Sequence, residues 1–160
     1  MFSFRPMRRF RQQVSAEKCA EILKREWRGV LAVLGDGGYP YTVPLDFFYD
    51  EGDGKIYFHG AKEGHKLDAI EKCDKASFCV MDAGFKKDGD WALNITSVVV
   101  FGRLRRVTDP EKTREKVCKL GRKYHPTDES VEKEWENAKS RVLCLEMSIE
   151  HMTGKLVNEK

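Results

Sequence analysis

Val30-Leu31-Ala32-Val33-Leu34-Gly35-Asp36-Gly37-Gly38-Tyr39-Pro40-Tyr41-Thr42-Val43-Pro44-Leu45 decides the fold. A short apolar run, a turn of residues that tolerate positive φ, and a second β-rich run make a hairpin. The second run reads as a strand from Tyr39 to Tyr49. The turn Asp50-Glu51-Gly52-Asp53-Gly54 leads into a third strand, Lys55 to His59. Strands joined by such short turns predict an antiparallel meander, because parallel neighbours need a long crossover.

Two prolines inside the second run are unusual. Proline donates no backbone hydrogen bond, so Pro44 marks an edge or a gap in the ladder. One reading is a plain edge strand protected by proline. The other leaves backbone groups of Val43 and Leu45 free to face the polar rim of a flat heterocycle. Spacing alone favours the plain edge.

Upstream, Ser15 caps a helix with Glu17 and Glu21 near its positive end. Cys19, Ile22, Leu23 and Trp27 form its apolar stripe, and Gly29 ends it. Downstream, Gly64 to Cys73 is a short helix contacting the core through Leu67 and Ile70. Ala76 to Met81 is a fourth strand, Ala83 to Asp90 a polar loop, and Trp91 to Val107 a long strand bent at Gly102. Asp109-Pro110-Glu111 starts a helix with Val117, Leu120 and Tyr124 inward, stopped by His125-Pro126. Thr127 or Asp128 caps another, with Val131, Trp135 and Ala138 inward. Leu143 to Glu150 alternates as a half-buried strand. The pattern predicts a mainly β chain: a six-stranded antiparallel barrel decorated by helices, in one domain spanning 1–160.

Composition agrees. The 160 residues are 41% hydrophobic and 34% charged, which suits a globular domain and excludes a disordered chain. No apolar run approaches the roughly 18 to 20 residues that span a bilayer. The net charge of +3 is local: residues 1–13 hold Arg5, Arg8, Arg9 and Arg11 and no acid, leaving +3 − 4 = −1 for the rest. That basic arm lacks the apolar stretch of a signal peptide. Cys19, Cys73, Cys79, Cys118 and Cys144 form no CxxC pair, so reduced thiols in the cytoplasm are expected, with no metal site. Asn94-Ile95-Thr96 is then a sequon that is not used.

Chemistry concentrates at His59-Gly60-Ala61-Lys62-Glu63-Gly64-His65-Lys66. A strand ends, two glycines let an anion approach, and a helix begins whose first N–H groups bind anions. Lys62, His65 and Lys66 add positive charge. The spacing is not a P-loop, so a nucleoside triphosphate is not implied. An ordinary loop with solvated lysines explains the same residues equally well. Ser97, in Thr96-Ser97-Val98-Val99-Val100-Phe101-Gly102-Arg103, offers a hydroxyl to a ligand or to backbone. No nucleophilic triad emerges, and Asp46 and Asp50 define no acid–base pair without geometry. Arg103 to Lys123 holds nine cations and three acids, a solvated or dimer-facing surface more readily than a nucleic-acid site.

Taken in order, these pieces resemble the FMN-binding split-barrel flavoproteins related to pyridoxamine phosphate oxidase, and within them the 5-nitroimidazole-resistance-type proteins. The carriers are Met7-Arg8-Arg9, Gly38 to Leu45, Ile56-Tyr57-Phe58-His59-Gly60-Ala61, Gly64-His65-Lys66 and Ser97 to Gly102. The resemblance implies a split barrel that dimerises and holds FMN at the subunit interface. It implies that Val43, Pro44 and Leu45 run beside the isoalloxazine ring and that His59 and Gly60 border the ribityl-phosphate. His65 and Lys66 would hold the phosphate, with Arg8 or Arg9 assisting, and Ser97 and Val98 would touch the flavin. Reduced flavin would deliver electrons to a small planar acceptor lined by Tyr39, Tyr41 or Trp91. Pyridoxamine phosphate oxidases proper place an arginine and a lysine where this chain has Tyr41 and Asp46, and end in an arginine-rich motif that Gly154 to Lys160 lacks. Those departures speak against vitamin B6 oxidation. Two rivals remain: a non-catalytic flavin- or haem-binding module, and a nucleic-acid-binding barrel using the basic arm.

Overall fold

The computed structural model describes residues 3–125 and 127–157. The elements are β1 (Gln13–Val14), α1 (Ala16–Arg25), β2 (Arg28–Leu34), β3 (Pro40–Asp46), β4 (Phe48–Asp50), β5 (Lys55–Ala61), α2 (His65–Lys72), β6 (Lys75–Met81), β7 (Ile95–Arg106), α3 (Pro110–Tyr124), α4 (Asp128–Ala138) and β8 (Val142–Val157). All ladders are antiparallel, in the order β3-β2-β6-β7-β8-β5-β4, with β1 added beside β8. The chain is mainly β, and its curled sheet forms the expected split barrel with helices outside, in eight strands rather than six because β1 joins it and Tyr39–Tyr49 divides in two.

Local chemistry sets the helix starts. The Ser15 hydroxyl accepts from the Lys18 N–H at 3.2 Å, Asp109 from Glu111 N–H at 3.0 Å, and Thr127 from Ser130 N–H at 3.2 Å. Cys19, Ile22 and Leu23 carry α1 into the core. That helix stops at Arg25 rather than Gly29, because Glu26 is already extended and Gly29 belongs to β2. A side chain at Gly29 would collide with the Phe78 ring. Trp27, left beyond the helix, is exposed. Residue Pro126, read as a helix stop, lies outside the described residues, as do 158–160; His125 caps α3 in an extended conformation.

The expected meander is corrected at Phe47. The run Tyr39–Tyr49 divides there: β3 stays with β2 at one end of the sheet, and β4 pairs β5 at the other. One continuous segment therefore crosses from edge to edge, and the sheet must curl to allow it. Phe47 is fully buried and meets Phe78 edge-on at 4.9 Å. Lys123 of α3 donates to the carbonyls of Glu26 and Phe47 at 2.6 and 3.1 Å. Tyr124 accepts from the Phe47 N–H at 2.9 Å and donates to the Trp27 carbonyl. Burial pulls the Lys123 ammonium down to about 8, so its carbonyl bonds hold a poorly solvated group.

Two other strands differ in length from expectation. β7 begins at Ile95, because Asp82–Asn94 forms a loop of its own: Asn94 is buried and its amide donates to Phe85 O and Asp90 Oδ2. A sequon asparagine so committed cannot carry a glycan in this fold. β8 runs on to Val157, since β7 pairs it from Leu145 to Val157, well past the Val142–Ser148 stretch that pairs β5. The β7–β8 register shifts between Phe101 and Gly102, where a Cβ would strike the Ser148 carbonyl. The bend expected at Gly102 is this bulge.

Inside the barrel, Leu31, Phe58, Phe78, Val98, Val100 and Met147 are almost fully excluded from water. Each such side chain contributes roughly 1.5–3 kcal/mol. Outside it, α3 covers Tyr57 and Cys144 and brings one buried charge with it. Lys116 Nζ meets Asp50 at 2.8 Å and Asp53 at 2.9 Å, Lys119 also reaches Asp50 at 3.1 Å, and the Tyr57 hydroxyl donates to Asp53 at 2.7 Å. This network ties α3 to the β4–β5 turn. The Lys116 hydrogen bond is the main force holding the Asp50 carboxyl down at about 2.

Candidate functional site

The curl leaves a seam. β3 and β5 approach without a ladder, and β4 covers β5 only along Lys55–Tyr57. Val43, Pro44 and Leu45 lie on β3, which pairs β2 alone and so has one open edge. Pro44 therefore stands on an edge strand, as its missing N–H required. Tyr41, Val43 and Leu45 turn inward against the core, while Thr42 and Pro44 face out. His59 and Gly60 lie on β5 opposite Cys144 and Leu143 of β8, beyond the part that β4 covers.

α2 closes one end of this seam. Gly64 adopts φ 132°, a conformation that L side chains rarely take, and caps the helix without a side-chain bond. The first-turn N–H groups of His65 and Lys66 consequently have no hydrogen-bond partner among the described residues. Lys66 is half-buried, and a Cβ on Gly60 would come within 3.2 Å of its ammonium. Burial alone pushes its pKa down, and no acid among the described residues pairs with it. An ammonium, free N–H donors and a strand residue without a side chain together fit a phosphate monoester.

His65 plays a more structural part than its spacing suggests. Its ring packs on Tyr41 with centroids 4.2 Å apart, and Nε2 accepts from the Asp36 N–H at 3.2 Å. It fixes α2 against the β2–β3 turn. Lys62, counted with the cations, instead donates to the Ser140 carbonyl at 2.7 Å. Arg8 and Arg9 are exposed.

Ser97 and Val98 are not brought to this seam within one chain. Val98 is fully buried, in register with Val80 and Gly154, and Ser97 stands between Met81 and Lys155. Leu45 reaches the level of Val98 only through β2 and β6, three ladder steps or about 14 Å. Gly60 is level with Leu143, and Ser97 with Lys155. Those β8 positions are 155 − 143 = 12 residues apart, up to about 40 Å along the strand. The outer face of the sheet between these two regions is apolar and open: Val30 is 39%, Leu34 49%, Phe101 41% and Met81 56% exposed.

The basic run Arg103 to Lys123 is spent on the protein's own acids. Arg103 and Arg105 share Asp74, Arg106 meets Glu71, Lys112 meets Glu146, Arg114 meets Glu132 and Arg122 meets Asp128. Lys116 and Lys119 hold Asp50, and Lys123 holds carbonyls. Spacing could not reveal this, since the acids come from other elements. Among the described residues no helix is long and apolar enough to cross a membrane.

A curled antiparallel sheet with an open seam, closed at one end by an anion-ready helix start, defines the split-barrel class of flavoproteins. Residues 15–156 match the family model of pyridoxamine 5′-phosphate oxidase, and the chain belongs to that family of split barrels. Among solved structures, a candidate 5-nitroimidazole antibiotic resistance protein from Bacteroides thetaiotaomicron is similar at 20% identity, with a TM-score of 0.74 over 90% of this chain and 86% of the other. A FAD-binding protein from Mesorhizobium loti shows 23% identity and a TM-score of 0.65 over 91% and 97%. The flavocytochrome of Azotobacter vinelandii shows 21% and 0.75 over 96% and 73%. At these identities the likeness concerns the fold. No curated protein matches the chain.

Proposed function

We propose that this chain is an FMN-dependent oxidoreductase acting on a small planar acceptor, and that it works in the cytoplasm as a homodimer. The observation that carries the reading is the half-buried, acid-free Lys66 ammonium over Gly60 at the start of α2. One cation and two free N–H groups suit the single phosphate of FMN. When bound, FMN supplies the two-electron redox chemistry.

The chain's own contribution is placement. Lys66 and the α2 N–H groups anchor the phosphate, and His65 keeps α2 in position through Asp36 and Tyr41. The open edge at Val43–Leu45 offers backbone groups to the polar rim of the ring. Homodimerisation is supported by two observations. The outer sheet face exposes Val30, Leu34, Met81 and Phe101, an apolar surface that a second copy would cover. Ser97, which stands on that outer face away from its own seam, would reach the cofactor of the partner, whereas Val98 is buried inside its own barrel. Covering that face also excludes water from the reacting ring.

A non-catalytic carrier uses the same placement, so turnover separates the two. The flavin-loaded protein, reduced anaerobically with excess NADPH, is expected to be reoxidised by a nitroaromatic acceptor over many cycles. A flavin that is neither reduced by NADPH or NADH nor reoxidised by nitroaromatic or quinone acceptors makes the protein a carrier.

A further inference from the structure

The apolar stripes of α3 and α4 do not close on each other. They touch where Gly121 admits Val131: a Cβ on Gly121 would lie 3.2 Å from Val131 Cγ1. Away from that crossing they leave a cleft of about 450 Å³, within the range of small-molecule sites. Leu120 and Tyr124 line it from α3, Trp135 and Ala138 from α4, and Asp46 and an exposed His59 from β3 and β5. Trp135 and Ala138 stand at helical spacing with buried Val131, yet both are only half-buried. The helix thus presents an apolar face that the chain itself does not cover.

Charge narrows the occupant. Asp46 and Glu134 are the carboxylates of the lining, and no lysine or arginine among the described residues lines it, in a chain of net charge +3. Asp46 is paired with Arg28 at 2.8 Å, whereas Glu134 makes no ion pair among the described residues. Desolvation pushes the His59 imidazole below its ordinary value, against the pull of Asp46 and Glu134.

We propose that this cleft binds a planar aromatic molecule bearing a protonated amine, its ring against Trp135 and its ammonium on Glu134. An aromatic wall rewards both the ring and the cation. A lining with two carboxylates, two histidines and no lysine or arginine among the described residues disfavours anions. Because side chains alternate along β5, His59 faces this cleft from the opposite side of the strand to Gly60 and Lys66. The site therefore stands whether or not the seam holds a flavin.

Calorimetry and amide NMR on the full chain test it, with 2-naphthylmethylamine as the cation and 2-naphthoate as its anionic counterpart. The amine is expected to bind below about 1 mM and at least tenfold tighter than the carboxylate, with shifts centred on Val131–Ala138 and His59. Glu134→Gln should weaken the amine about tenfold. Glu136→Gln, which removes a carboxylate paired with Lys139 on the same helix, should not. Ala138→Leu should fill the cleft and abolish binding. Equal binding of both probes, shifts centred elsewhere, no binding, or an unaffected Glu134→Gln overturns the proposal. FMN uptake, read separately by absorbance, is expected to be the same in Glu134→Gln, so failure of either site leaves the other measurable.

Discussion

Lys66→Ala is expected to weaken FMN binding roughly ten- to a hundredfold without lowering the stability of the flavin-free protein. Hydrogen bonds to charged groups contribute about 1.5–3 kcal/mol each, which converts to that range. The second half of the expectation is the more discriminating. Lys66 is half-buried with no acid beside it, and its pKa is pushed down by burial. Its charge therefore costs the empty fold something, and removing it should leave the melting temperature unchanged or higher. A residue retained at such a cost is explained by an anion that repays it. The same logic makes inorganic phosphate a competitor. Unchanged FMN affinity in Lys66→Ala would move the phosphate elsewhere.

Lys116→Ala should do the reverse: little to the cofactor, and much to the fold. It leaves Asp50 with only the more exposed Lys119 and Asp53 with only the Tyr57 hydroxyl. Breaking a buried pair from one side costs about 3–5 kcal/mol, a large share of the roughly 5–15 kcal/mol that holds a domain together. Urea unfolding reads this directly. Replacing Lys116 and Asp50 together with apolar residues should recover part of the loss, because neither charge is then stranded. The acid limb gives a second readout. Asp50 is held below its unfolded value, at about 2, so its contribution is complete above the usual carboxylate range near pH 4. It is lost as pH falls toward 2. Lys116→Ala should flatten that limb. An unchanged limb together with a small loss in urea would show the network to be incidental.

Much of the fold was legible because single residues had single solutions. Ser15, Asp109 and Thr127 each had a helix to cap, Pro44 had to sit on an edge, and Gly102 had to yield to a neighbour. What was not legible depended on distant partners. Nothing within Tyr39–Tyr49 says that its two halves pair with opposite ends of the sheet. That follows from Phe47 burying against Phe78 and from Lys123 and Tyr124 holding its backbone. β8 looked half as long because His151, Thr153 and Lys155 break its apolar alternation; they pair with β7 at positions that periodicity cannot supply.

The site divided along the same line. Gly60, Gly64 and Lys66 are neighbours in sequence, and their local turn assembles them. Val43 to Leu45 reach the seam only through the curl of the sheet, and His59, next to Gly60 in sequence, turns instead to the α3–α4 cleft. Ser97 and Val98 stay at the far end of β8 from Gly60. The α3–α4 cleft had no signature at all, since an inward-facing Trp135 reads the same whether it fills a core or lines a hollow.

The most direct test of the flavin reading is one titration of the purified chain with FMN, followed by absorbance and by size. We expect a stable complex with a flavin band near 450 nm, one FMN per chain, and the mass of a dimer. A chain that takes up no FMN, or binds it no better than Lys66→Ala does, contradicts the account.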